Sequence, residues 1–405
     1  MNRSIPTTAD PATDAAGLLR RFGFAVLVIL APVAALVSRR GLVILIPIGI
    51  ALLVLATFIE SEGREPLGRA RRALLAPAGL IAAFLVFWAG LSLMWTPFPA
   101  AASERLVNLA GISAVGMIAA AALPQRMRVS NLYLMPIGAG LAALVALFLE
   151  VRGVSFDTEP TTDTAILDRG LLMLVLVAPS AISWLASKDR YVACFALVAV
   201  VTAALVYGGA WPALGAFAIG AVVYAIVTLN AAAGRWVALI LIPGLVLAAP
   251  ALPFLLRPVS KVTFGITHPK VETIRTWSRI VTDDPARLIT GHGLDTALRA
   301  KLAGLVPNQA PSGILFEVWF ELGFLGAIAL ALLLAKAVNG ASRLQGGAAP
   351  GAMMTLAVAF SLAVLGQGAA QAWWLIGLAL AAILAVAVDR GQYRTTRPRS
   401  SGPAR

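Results

Sequence analysis

The chain has 405 residues but only one cysteine and two histidines. Cys194 by itself cannot form an intramolecular disulfide, and in its apolar run it reads as a small packed residue. These few ligands are too scattered for a zinc site. No stretch has the spacing of a Walker A loop or a Ser-His-Asp triad. Gly208-Gly209 and similar patches mark helix ends rather than nucleotide loops, so no metal or other cofactor is expected. Charge is scarce too: Asp, Glu, Lys and Arg make up 13% of the residues, against about a quarter in a soluble domain. That deficit excludes an ordinary soluble fold, and the alternating pattern of a membrane β-barrel is also missing.

Apolar residues are what the chain has in abundance, at 60% with a mean hydropathy of +0.87. Repeated apolar runs of about 18 residues or more are the signature of membrane-spanning helices. The expectation is an all-α polytopic bundle of about twelve spans: 22–38, 41–59, 74–95, 105–123, 131–150, 166–186, 191–208, 212–230, 236–256, 314–337, 351–369 and 371–388. Only Ala370 separates the last two, so a re-entrant pair is an alternative there. Residues 1–21 read as a disordered polar terminus. Arg20 and Arg21 before the first run resemble a signal peptide, but no small-residue cleavage site follows and a retained helix is expected. The chain thus divides into 1–21, a bundle over 22–256, a long polar loop over 257–313, three further spans over 314–388, and a basic tail over 389–405.

The net charge of +13 is a topological signal rather than a nucleic-acid one. Taking the termini and alternate loops as one side gathers 19 of the 32 Lys and Arg, whereas the opposite short loops hold Arg39, Arg40, Arg105, Arg152 and Arg169. By the positive-inside bias both termini are cytoplasmic, and the 257–313 loop is external. The Arg39–Arg40 turn is the one local violation. A loop this long is a functional candidate. It carries eight Lys and Arg, both histidines, and Glu272, Asp283, Asp284 and Asp295. Ile274, Trp277, Ile280 and Val281 repeat at helical spacing, which predicts a short amphipathic surface helix. Asp295 is an expected N-cap for a second helix over 296–302, with Gly304 as its stop.

Several residues are candidates for chemistry, each with a structural alternative. His292, between Gly291 and Gly293, could act as a general base at neutral pH where the backbone approaches a ligand closely; the alternative is a histidine packed in a tight turn. His268, before Pro269 and Lys270, reads as a surface residue. Arg275 and Arg279 share a helix face and could grip a diphosphate or meet lipid headgroups. Asp168–Arg169 opens the sixth run, where an ionisable residue is a functional candidate, or else an interfacial pair. Just upstream lies the acidic stretch of Asp157, Glu159 and Asp163. Glu317 and Glu321 sit one turn apart, as a carboxylate base or, for Glu321, as a helix-positioning group near Gly323 and Gly326. Gln367, Gln371, Trp373 and Trp374 read as interface residues.

The order of these features resembles a known family. Trp277, Asp284-Pro285 and Gly291-His292-Gly293-Leu294 are similar to a Trp…Pro…Gly-x-Gly run, and Phe316-Glu317-Val318-Trp319-Phe320-Glu321-Leu322-Gly323-Phe324-Leu325-Gly326 to a Leu-Gln-x-Trp-x-Glu-Leu-Gly-x-x-Gly helix start. Upstream, Leu93-Met94-Trp95-Thr96-Pro97-Phe98-Pro99 resembles a Trp-Ser-x-x-Pro segment, and Asp168-Arg169-Gly170 an Asn-Arg-Gly entry to a middle span. Over roughly residues 75–385 the chain resembles the O-antigen ligase and polymerase superfamily of bacterial inner-membrane proteins. The resemblance implies metal- and nucleotide-independent glycosyl transfer at the periplasmic face. The donor would be an undecaprenyl-diphosphate-linked glycan, and the acceptor a hydroxyl of a lipid or glycan. Arg169 matches the middle-span arginine, and Arg275 or Arg279 would supply the loop arginine. Where the family has His-Pro-His-Asn, this chain reads Ala310-Pro311-Ser312-Gly313. Ser312 cannot be a base at neutral pH, so His292 has taken over, the acceptor chemistry differs, or catalysis is lost. Two readings of other classes are a flippase-like transporter, for which the chain lacks an internal repeat, and a non-catalytic scaffold of polysaccharide export. A glycosyltransferase with a carboxylate base in its first external loop is disfavoured, because that loop is only Arg39-Arg40.

Overall fold

The computed structural model describes residues 11–60, 64–154, 166–265, 268–366 and 371–392. Every regular element among them is helical. Ten helices are long and apolar enough to cross a membrane: Ala12–Val37, Gly41–Glu60, Pro77–Met94, Pro99–Ala122, Val129–Arg152, Ile166–Ser187, Trp211–Leu229, Ala231–Ala248, Ile314–Ala341 and Ala372–Asp389. Two shorter apolar helices, Tyr191–Tyr207 and Ala348–Val364, stand where the seventh and eleventh runs were expected. The last two runs form separate helices. Residues 367–370, with Gln367, lie outside the described residues, as do Asp157, Glu159 and Asp163.

Ile166–Ser187 is the central pillar, with 89% of its apolar window buried inside the protein. Its residues from Gly170 to Leu185 are all buried, as suits a helix apolar around its whole circumference. Small residues let its neighbours close in. A Cβ on Gly138 would meet the Val28 carbonyl at 1.8 Å, beside the π-helical turn Val26–Leu30. Pro77–Met94 and Pro99–Ala122 are at the opposite extreme, with 11% and 17% of their windows buried. They expose Phe84, Phe87 and Val107. Large apolar side chains in such numbers suit a lipid phase rather than water, and the chain is a membrane protein.

Two expectations, for residues 1–21 and for the start of the polar loop, need correction. Helix Pro11–Ala25 occupies part of the stretch expected to be disordered, continuing the first apolar run outward; residues 1–10 lie outside the described residues. The connection after Glu60 contains the basic helix Arg64–Leu75. The polar loop does not start as a loop at 257, because helix Leu252–Phe264 runs into it. Beyond it come Pro269–Asp283, Arg287–Thr290 and Thr296–Leu302. The first and last of these three match the two helices read from the sequence. Of the basic tail, residues 393–405 lie outside the described residues.

Candidate functional site

The site forms where one long helix breaks. Ile314–Ala341 is interrupted at Gly323, with φ 63° and ψ −159°, a conformation open almost only to glycine. A break leaves carbonyls without in-helix donors, and in an apolar phase each must find another partner. The Phe320 carbonyl accepts from the His292 backbone N–H at 2.8 Å, and the Glu321 carbonyl from Gly293 N–H at 2.9 Å. The Leu322 carbonyl accepts from Trp88 Nε1 at 2.8 Å. The Gly291-His292-Gly293 strap therefore plugs the break. A Cβ on Gly291 would lie 2.2 Å from the Glu321 carbonyl, and one on Gly293 2.6 Å from Thr96 Cβ. At both positions a side chain would clash with the neighbouring backbone or with the Thr96 corner.

The strap also fixes the Trp95-Thr96-Pro97 corner. Thr96 Oγ1 donates to the Leu294 carbonyl at 3.0 Å, and Leu294 N–H donates to Ser92 Oγ at 3.1 Å. Three stretches far apart in the chain, 92–97, 291–297 and 316–323, thereby meet.

His292 is half-buried, and its ring stacks on Phe320 at 4.1 Å between centroids. Its Nδ1 lies 3.0 Å from the Phe320 carbonyl. A carbonyl only accepts, so Nδ1 carries the proton and Nε2 keeps its lone pair. The ring borders a cleft walled by Trp277, Ile280, Val281 and Phe316, with Asp284 and Arg287 at its polar edge. Burial pushes the His292 pKa down. The Phe320 carbonyl opposes this, Arg287 adds to the lowering, and Asp284 opposes it. The folded protein therefore favours the neutral ring. The stability this contributes is fully present above the ordinary value of 6.5 and is lost as pH falls below it. Between about pH 7.5 and pH 5 the wild type is expected to lose more thermal stability than His292→Gln; equal losses would show that the ring does not titrate as described.

Beside the strap lies a charged cluster that local pattern did not reveal. Arg105, on Pro99–Ala122, directs Nη1 to Glu321 Oε1 at 2.9 Å and Oε2 at 3.1 Å. Asp295 Oδ1 lies 3.3 Å from Nη1, and Glu317 Oε2 3.9 Å from Nη2. Glu321 also accepts from Ala297 N–H at 3.1 Å. Asp295 stands at the predicted N-cap position, but it makes no side-chain cap and its backbone is left-handed at φ 64°. Its carboxylate instead accepts from Arg299 Nε at 2.6 Å. Lys301 Nζ donates to the Ala310 and Pro311 carbonyls, each at 2.7 Å, so it holds the segment just before Ser312. Burial lowers the Lys301 pKa, against the pull of Glu317. Ser312 is exposed and packs against Gly366.

The other sequence candidates are spread wider. Arg275 and Arg279 share an exposed face of Pro269–Asp283, as expected. Neither lines the His292 cleft, where Arg287 stands instead. Arg169 is half-buried, with its guanidinium 5.8 Å from the Trp373 ring centre, and Asp168 beside it is also half-buried. His268 caps a helix, accepting from Lys270 N–H at 3.2 Å. Arg105 sits two turns inside an apolar helix, and the rule that singled out Arg169 would have found it too. No protein-family model, curated protein or solved structure matches this chain.

Proposed function

We propose that this protein transfers or polymerises glycan from an undecaprenyl-diphosphate carrier at the periplasmic face of the bacterial inner membrane, in surface-polysaccharide assembly, with both termini cytoplasmic. The observation that carries the reading is the convergence of three family-like stretches on the break at Gly323, around a histidine with an unspent lone pair. His292 Nε2 takes the proton of an acceptor hydroxyl as that oxygen bonds to the anomeric carbon. The bond from that carbon to the diphosphate breaks, and the lipid diphosphate leaves with the electron pair. Its growing negative charge is met by cations. Arg287 at the cleft edge is better placed than Arg275 or Arg279 to meet charge forming near His292. Arg169 is the cation from the middle span, with Asp168 beside it. Glu317, Glu321 and Ser312 support the helix and segment that frame the cleft.

The test is transfer from undecaprenyl-diphosphate oligosaccharide by purified protein, with a chelator present. Release of undecaprenyl diphosphate is expected, lowered by about 100-fold or more in His292→Ala and also lowered in Arg169→Ala and Arg287→Ala. A lengthened glycan would identify a polymerase, and a glycan on a new lipid a ligase. If the wild type binds the carrier lipid but transfers nothing across several donors, the scaffold or flippase reading replaces this one. Ser312 would then mark lost catalysis.

A further inference from the structure

At the far end of Ile314–Ala341 from His292 lies a second site of quite different character. Lys336 and Gly340 lie four residues apart, on one stripe near the C-terminal end of this helix, and Arg343 stands in the turn just past it. With Asn339, Arg235 of the neighbouring helix Ala231–Ala248, and the first turn of Pro77–Leu91, they line a cavity of about 320 Å³. Each contributing helix is at its terminus here, which is the headgroup level for elements that cross a bilayer. At Gly340 an added Cβ would meet nothing within 4 Å, so the glycine leaves the cavity open.

The chemistry of the lining has one sign. Among the described residues, Arg235, Lys336 and Arg343 make no ion pair, and no carboxylate lines the cavity. Arg235 Nε and Asn339 Oδ1 are buried without a hydrogen-bond partner. The helix starting at Pro77 has no side-chain cap, so its positive end also faces the cavity. The C-terminus of Ile314–Ala341 accounts for some attraction of Lys336 and Arg343, but not for an arginine from another helix with an unspent donor. Trp236, 61% exposed beside Arg235, and Leu75, 57% exposed, supply the apolar surround of a lipid interface.

We propose that this cavity holds the phosphate of an anionic phospholipid, its acyl chains lying along the exposed apolar helices. The donors present suit a singly charged phosphodiester, and the position suits a molecule whose tails remain in the bilayer. This reading rests on the membrane-spanning architecture alone and stands whether or not glycan transfer occurs.

The full chain in nanodiscs is to be titrated with phosphatidylglycerol in a phosphatidylcholine background, with bound lipid counted by native mass spectrometry. Preference for phosphatidylglycerol is expected to fall roughly fivefold for each cation removed in Arg235→Gln, Lys336→Gln and Arg343→Gln. Arg126→Gln and Arg128→Gln, which do not line the cavity, are expected to keep it. Lys336 and Arg343 are exposed, so their single variants remain informative if the triple variant fails to fold. Loss of preference equal to that of the controls would overturn the site. Saturation by inorganic phosphate, with displacement of the lipid, would overturn the lipid as its occupant.

Discussion

Arg105→Met is expected to cost about 3–5 kcal/mol of stability, because it leaves a buried carboxylate without its cation. Glu321 is 3% exposed, and both its oxygens face Arg105 Nη1. Without the guanidinium, only the Ala297 N–H remains to it. Asp295 keeps its bond to Arg299 and suffers less. The double variant Arg105→Met/Glu321→Leu is expected to recover much of the loss, since exchanging a whole buried pair for apolar groups is often close to neutral. Arg105→Lys should fall between, keeping the charge but not the planar two-nitrogen reach toward several carboxylates. Thermal unfolding of the purified proteins in one detergent gives the ranking. If Arg105→Met unfolds like wild type, or the double variant unfolds no later than the single, the cluster is not the local keystone described above.

The second large effect is at Gly323. An alanine there must adopt a conformation that costs about 1–3 kcal/mol for a side-chain-bearing residue. Its Cβ would also stand 2.4 Å from the Ile289 carbonyl and 2.6 Å from Gly291 N. Relief by backbone movement adds about 1–3 kcal/mol, the usual cost of overpacking. The strap would have to leave the helix and take the His292 ring with it. Gly215→Ala is the matched control. Gly215 lies within Trp211–Leu229, where an added Cβ meets nothing within 4 Å, and alanine there is expected to be neutral or to stabilise by about 1 kcal/mol. Hydrogen exchange across residues 285–297 is expected to speed up in Gly323→Ala alone. Unchanged protection of that segment would mean that the strap does not depend on the break.

Much of this architecture was readable from local pattern. Apolar runs mark the helices because a span must satisfy its backbone internally. Trp277 with Ile280 and Val281, and Asp295 with Gly304, marked two loop helices because periodicity and stop signals are local. Arg105 was counted among loop cations, since a charge near a helix end looks the same whether it meets water or three carboxylates. Its partners lie 190 to 216 residues away, and no window on the chain contains both. Gly323 showed itself as a glycine after Leu322 but not as a break, because the backbone angle is set by what packs against it. Arg275 and Arg279 were correctly placed on one face. Which way that face looks is decided by the docking of Pro269–Asp283 through Trp277, and it looks away from His292. Helix Pro11–Ala25 escaped because its polar first turns carry no apolar stripe.

Two sets of contacts hold the break and its strap, and they differ in what supports them. One is the set of backbone hydrogen bonds that ties the strap to the broken helix. The other comes from Trp88, Ser92, Thr96 and Arg105 of the hairpin Pro77–Met94 and Pro99–Ala122, the least buried of the ten candidate spans. Little protein backs that hairpin, and its exposed Phe84, Phe87 and Val107 suit a surface turned to lipid rather than to water.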